Sequence, residues 1–248
     1  MSDPADLTGR VRAWWDADAA TYEDSSDHGP GSPAHRAAWN AALHRLLPAP
    51  GCRVLDVGAG TGFLSLAAAR LGHRVTALDL SAGMLERLRA SADRDGLQIE
   101  VVQGGAEEPP PGPFDAVVER HLLWTLPDPG AALAAWRAVA PEGRLVLFEG
   151  LWGGADQVEA LRGQAREQLR RLRGEPDHHH DRYDPSVLEE LPLAAGTHPD
   201  RVVELVEAAA WGPARLERLR DIEWAQLLGL PPSGRLLGVT PRFAVVAG

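Results

Sequence analysis

The chain has 248 residues, 44% of them hydrophobic and 24% charged, with a formal charge of −10. It is long enough to bury a core without disulfide staples, and its acidity disfavours nucleic-acid phosphates and anionic membrane surfaces as partners. All 25 basic side chains are arginine, which excludes Schiff-base chemistry and the lysine of a phosphate-binding loop.

In chain order, Val11, Trp14, Trp15 and the run Asp18 to Tyr22 read as one helix, and His35 to Leu47 as a second stopped by Pro48. Between them, Asp24 to Pro33 is a polar, Gly- and Pro-rich loop. From Arg53 the rhythm alternates. Strand Arg53 to Val57 leads through a glycine turn into helix Gly62 to Leu71. Strand Arg74 to Leu78 ends at Asp79, and Ser81 is placed to cap a helix reaching about Asp93. Strands Ile99 to Val102 and Phe114 to Val118 follow. Asp128-Pro129 starts the helix to Val139, and Arg144 to Glu149 is a fifth strand. Beyond Gly150 the spacing predicts helices over Ala155–Arg173, Pro185–Leu191 and Pro199–Ala210, then strands Ala214–Arg220 and Pro241–Ala247. Alternating strands and helices imply an α/β fold, a mostly parallel sheet with helices on both faces. The expected division is a helical cap over residues 1–50 and a cofactor-binding core over 51–150. A helical insertion that caps the substrate follows over 151–198, and 199–248 completes the core sheet.

Cys52 is the single cysteine, so neither an internal disulfide nor a cysteine-based zinc site is expected. The first 18 residues carry charges throughout and no long apolar run occurs, so neither a signal peptide nor a membrane span is expected, and the chain reads as cytoplasmic. Scarce Lys, Asn and Ile beside abundant Ala, Arg, Gly and Pro match the usage of a GC-rich bacterial genome.

The strongest motif is Asp56-x-Gly58-x-Gly60-x-Gly62, directly after the first strand. Glycines there let the backbone turn tightly and let a ligand approach it, beside the free N–H groups of the next helix. A dinucleotide fingerprint would need a glycine where Phe63 stands. Asp79 closes the next strand, where a carboxylate can accept both hydroxyls of a ribose. With these residues the chain resembles the class I S-adenosylmethionine-dependent methyltransferases. Asp79-Leu-Ser81-x-x-Met84-Leu is similar to their second motif, and the runs from Phe114-Asp115 to Leu126-Pro127 and from Pro141 to Val146 are similar to their fourth- and fifth-strand regions.

The resemblance implies a Rossmann-like sheet of seven strands with the last antiparallel, and S-adenosylmethionine as cofactor. It sets Gly58, Ala59 and Gly60 against the methionine half, with Asp56 in the same motif. Asp79 would hold the ribose, with Leu80 and Met84 about the adenine. The family's usual acid after the third strand is replaced by Gly105, so backbone groups of Ala106 or the Glu107 side chain would take its place. Tyr22 is placed over the cofactor by the same resemblance, or else packs as a helix residue on the core.

After the fourth strand, Glu119-Arg120-His121-Leu-Leu-Trp124 stands where such enzymes put residues facing the substrate. Arg120 would pair with the cofactor's carboxylate or with an acid of this chain. His121 is a candidate base because histidine titrates near neutrality, and His28, in a loop able to close over the site, is a second. The sequence lacks the Asn/Asp-Pro-Pro-aromatic run of enzymes that methylate nucleic-acid bases. His178-His179-His180-Asp181 reads as solvated loop rather than a metal site, and a metal-free displacement is expected. Trp14, Trp15, Trp124 and Trp152 flank the expected pocket and suggest an apolar or aromatic acceptor. The reading is methyl transfer to an O, N or C atom of a small molecule, such as a specialised metabolite. Its rivals are a decarboxylase, cyclase or other enzyme on the same cofactor fold, a nicotinamide-dependent oxidoreductase, and a non-catalytic protein that senses the cofactor.

Overall fold

A computed structural model describes residues 4–22, 29, 31–151, 157–172 and 184–248. Seven strands form one sheet in the order β3-β2-β1-β4-β5-β7-β6. They are β1 (Arg53–Val57), β2 (Arg74–Asp79), β3 (Ile99–Gln103), β4 (Ala116–Arg120), β5 (Arg144–Gly150), β6 (Arg215–Arg218) and β7 (Arg242–Ala247). The first five run parallel, and β7 is antiparallel to both of its neighbours. The order reverses between β1 and β4, which is the switch point where open α/β sheets take their ligands.

Ten helices are described: α1 (Pro4–Asp18), α2 (Pro33–Leu46), α3 (Phe63–Arg70), α4 (Ala82–Asp95), α5 (Pro129–Val139), α6 (Gln157–Leu172), α7 (Pro185–Glu190), α8 (Pro199–Ala208), α9 (Arg220–Gly229) and α10 (Pro232–Leu237). Capping explains several starts. Ser32, Ser81 and Asp128 each accept from the backbone N–H three residues on, at 3.1, 3.2 and 2.9 Å. One face of the sheet, with Leu55, Val117 and Leu145, packs Leu133 and Trp136 of α5 and Val202 and Val206 of α8. The other face, with Val54, Val118 and Phe148, packs Trp39 and Leu43 of α2, Leu64 of α3 and Ile222 of α9. The first 50 residues thus divide: α2 is a core layer, while α1 joins α7 in a separate cluster that includes Leu7, Val11, Val187 and Leu191.

Some boundaries differ from the sequence expectation. The first helix ends at Asp18, and the residues up to Tyr22 form turns, with Thr21 N–H bonded to Asp18 O at 3.0 Å. β4 starts at Ala116 and runs on through Arg120, because Ala116 is the residue in register with Val54. Phe114 lies before the strand, buried in the core with its N–H on Val139 O. The last stretch holds two helices that periodicity did not reveal, α9 and α10, so Arg220 begins a helix and does not end a strand. Among the described residues, no helix is long and apolar enough to cross a membrane.

Candidate active site

The C-terminal edge of the parallel strands gathers most of the singled-out residues. Gly58, Gly60 and Gly62 have φ of 66°, 56° and 96°, a left-handed backbone that side chains resist. Two of these positions show different needs. A Cβ on Gly58 would lie 2.7 Å from Leu122 Cδ1, so this glycine lets the turn after β4 close against the turn after β1. A Cβ on Gly60 would meet nothing within 4 Å, so its backbone borders open space. The side chain of Ala59 points into the small core with Leu85 and Leu88, leaving only its backbone to the turn.

Asp79 fastens this turn. One carboxylate oxygen accepts from Gly60 N–H at 2.8 Å and the other from Ser81 N–H at 2.8 Å. Burial pushes its carboxyl up, and those two amides pull it back. Asp56 lies deeper, 1% exposed, and accepts from Ser65 Oγ at 2.6 Å. Burial raises its carboxyl to about 7. It therefore braces β1 against α3 from beneath the turn.

The structure brings the cap to the same edge. Asp16 of α1 accepts from Ser81 Oγ at 2.6 Å and from Gly83 N–H at 3.3 Å, seating an acid at the N-terminus of α4. Arg10 pairs with Glu190 of α7 at 2.5 Å. Trp14, Trp15, Leu80 and Trp124 pack on the α1–α7 cluster, so the expected adenine side and the expected acceptor side share one apolar roof. Trp14 and Trp15 meet edge to face at 4.6 Å, and Tyr22 meets Trp15 at 6.0 Å. Met84 is buried at the start of α4.

On the adenine side, a Cβ on Gly105 would lie 3.5 Å from Glu107 Oε2. The Glu107 carboxylate thus occupies the neighbourhood an acid at 105 would have reached, and burial pushes it up. Ala106 is fixed by its carbonyl, which accepts from Trp136 Nε1 at 2.7 Å.

Beyond β4 the site is made of charge. Arg120 stacks its guanidinium 3.7 Å over Phe63 and 5.6 Å from Trp39, and its charge opposes, without overcoming, the burial that raises the carboxyls of Asp56 and Glu119. His121 sits at φ 61°, a strained position for a side-chain-bearing residue, held as its N–H donates to Phe148 O at 3.1 Å. Leu122 N–H donates to Glu119 Oε2 at 2.8 Å. The His121 ring has Arg242 Nη1 at 3.0 Å from Nε2 and Glu149 Oε2 at 3.6 Å from Nδ1. Thr197 Oγ1 donates within this group, 3.2 Å from Glu149 Oε2 and 3.0 Å from Gly150 O.

Glu119 and Glu149 are 0% and 1% exposed on neighbouring strands. Burial, then the charge of Glu149, pushes Glu119 well above the carboxylate range, so the pair keeps a proton. Glu149, Thr197 and Arg242 were not singled out from sequence, and Glu119 was named only as part of the run after the fourth strand, without a role. The available signal was a carboxylate late in each of two otherwise apolar strands, at Val117-Val-Glu119 and Leu147-Phe-Glu149.

His28, Trp152 and the His178–His180 run lie outside the described residues. Among those described, no group of three or more His, Cys, Asp or Glu is arranged to hold a metal ion.

Comparison with known proteins decides the family. Residues 55–147 match a family model described as a methyltransferase domain. The chain is 35% identical over 184 residues to a ubiquinone biosynthesis O-methyltransferase of Xanthomonas campestris pv. campestris, covering 71% of each chain. This chain belongs to the class I S-adenosylmethionine-dependent methyltransferases. Solved structures agree on the fold. A 1,6-didemethyltoxoflavin-N1-methyltransferase from Burkholderia thailandensis matches with TM-score 0.60 and 20% identity, over 100% of this chain and 90% of that one. A magnesium protoporphyrin IX methyltransferase from Synechocystis PCC 6803 with bound SAM matches with TM-score 0.59 and 15% identity, over 100% and 99%.

The protein is an S-adenosylmethionine-dependent methyltransferase, and its residues fit that cofactor. Gly60 leaves open space at the switch point, and Asp79 presents a carboxylate at its rim.

Proposed function

We propose that the enzyme methylates a hydroxyl oxygen of a small, largely apolar or aromatic molecule. The observation that carries the acceptor class is the shared apolar cluster: Trp14, Trp15 and Trp124 pack, together with Leu80 from the functional edge, against the α1–α7 residues. Aromatic side chains supply broad apolar contact for a flat acceptor. Oxygen is favoured as the acceptor atom because relatives 35% identical to this chain are named O-methyltransferases. A specialised-metabolite acceptor fits the same pocket chemistry.

Bound S-adenosylmethionine supplies a methyl group already activated on a sulfonium. The chain's task is alignment and removal of one proton. In this reading Gly58, Ala59 and Gly60 hold the methionine half with their backbone, and Asp56 braces that turn through Ser65. Asp79 accepts the ribose hydroxyls. Leu80 and Met84 flank the adenine, with Ala106 and Glu107 reading its edge in place of the acid missing at Gly105, and Tyr22 closes over it beside Trp15. Arg120, stacked on Phe63, pairs with the cofactor's carboxylate or stands by the buried carboxyls of Asp56 and Glu119. His121 takes the acceptor's hydroxyl proton on Nε2, and Glu149 steadies the resulting imidazolium from the Nδ1 side.

The test is a methyl-transfer screen with isotope-labelled S-adenosylmethionine against phenols, catechols, aromatic amines and aliphatic alcohols. Labelled ether products from hydroxylated aromatics are expected. Transfer confined to amines or to carbon would overturn the oxygen assignment.

A further inference from the structure

Both ring nitrogens of His121 face charged side chains, and the two neighbours are opposite in kind. A guanidinium has only donors. The atom it meets must offer a lone pair, so with Arg242 Nη1 at 3.0 Å, Nε2 is unprotonated. A neutral imidazole then carries its proton on Nδ1, the nitrogen 3.6 Å from Glu149 Oε2. That separation exceeds a hydrogen bond, so Glu149 orients the ring through its charge. Glu149 is itself oriented, since the single hydroxyl hydrogen of Thr197 is shared between the same oxygen at 3.2 Å and Gly150 O at 3.0 Å. Arg242 is oriented too: its backbone N–H donates to Glu223 Oε1 at 2.6 Å, and its Nε lies 3.4 Å from Gln226 Oε1. The imidazole is therefore set by three strands, with β4 supplying Glu119, Arg120 and the left-handed turn, β5 supplying Glu149, and β7 supplying Arg242. Glu223 of α9 contributes behind Arg242.

We infer that Arg242 and Glu149 are positioning residues that hold His121 as its neutral Nδ1–H tautomer, with Arg242 occupying Nε2 until the acceptor's hydroxyl replaces it. The exchange is balanced: one N–H···N bond is given up for one O–H···N bond, and the hydroxyl proton then passes to Nε2 as the oxygen–methyl bond forms. The cation beside Nε2 keeps the ring unprotonated while the site is empty, and the anion beside Nδ1 stabilises the charge once the proton arrives. This rests on the reading of His121 as the base, but its principal test does not require activity.

The experiment is long-range proton–nitrogen correlation spectroscopy of the imidazoles in the nitrogen-15-labelled full chain. The His121 signals are identified by their loss in His121→Gln. The expected result is the Nδ1–H tautomer at neutral pH. In Arg242→Gln the His121 titration midpoint should rise by about one pH unit, in Glu149→Gln it should fall by about one, and Arg242→Lys should restore the parent's value. An Nε2–H tautomer in the parent, or a midpoint unmoved in Arg242→Gln, overturns the inference. If Arg242→Gln does not fold, the parent's tautomer and the charge-retaining Arg242→Lys still decide. The base reading fails separately, if His121→Gln turns over at the parent's rate.

Discussion

The two halves of the functional edge are built from different materials. Between Asp56 and Asp79 the chain makes a ligand cradle from backbone: glycines in left-handed conformations and one carboxylate fastened by two amides. From Glu119 to Arg242 it makes a cluster of side chains, with buried acids, a histidine and an arginine drawn from three strands. The first half is local in sequence and the second is assembled by the sheet order, which sets β4 beside β5 and β5 beside β7. A cradle of backbone suits a ligand that never changes. A cluster of side chains suits an acceptor that differs between relatives.

The comparison breaks most visibly at Asp56, a buried charge in the backbone-built half. Its carboxyl is raised from the ordinary 3.8 to about 7, so the folded state binds this proton more tightly than the unfolded chain. Its contribution to stability is complete below the unfolded value and is lost as the pH rises through the folded one. Against Asp56→Asn, the parent should lose up to about 4 kcal/mol on going from acid to above neutral pH. Urea midpoints for both proteins at pH 5 and pH 8 capture about 2.5 kcal/mol of it, and parallel behaviour would refute the shift.

Turnover probes the other half. His121→Gln should slow methyl transfer about 100-fold while leaving cofactor affinity at the parent's value. Single-turnover kinetics on any acceptor found in the screen reads this, and an undiminished rate would leave alignment alone as the mechanism. Asp79→Ala should weaken cofactor binding by about 1.5 kcal/mol or more, roughly tenfold, since a charge-assisted bond to the ribose is lost.

The smallest effect sharpens the contrast within the cradle. Gly60→Ala should cost about 1 kcal/mol of stability, from its left-handed backbone alone, because its methyl meets open space. Gly58→Ala should cost more, since its methyl would press on Leu122 and push the turn that carries His121. Thermal melts of the two variants give the order, and equal losses would contradict it.

The same contrast explains what could be read from sequence. Asp56, the glycines and Asp79 were legible because a tight turn after a strand restricts residue type position by position. The alternation of strands and helices was legible because its periods are local. Glu149, Thr197 and Arg242 were not, because nothing in their own segments records that three strands set them around one imidazole. The α9 helix was hidden for a related reason: its buried residues Ile222 and Ala225 are few, and Trp224 and Leu228 stand exposed, which blurs the helical stripe. The role of α2 was misplaced because its apolar face suits either a cap or a core layer. Only the packing of Trp39 and Leu43 against Phe148 and Val118 distinguishes them.

The central claim is that the cofactor is held by the backbone-built half and the adenine side next to it, independently of the side-chain cluster around His121. Calorimetric titration of the parent, Asp79→Ala and His121→Gln with S-adenosylmethionine, S-adenosylhomocysteine and NAD tests it most directly. The account predicts micromolar binding of the first two ligands and none of NAD, weakened at least about tenfold in Asp79→Ala and unchanged in His121→Gln. Binding of NAD, or equal weakening by both substitutions, would contradict it.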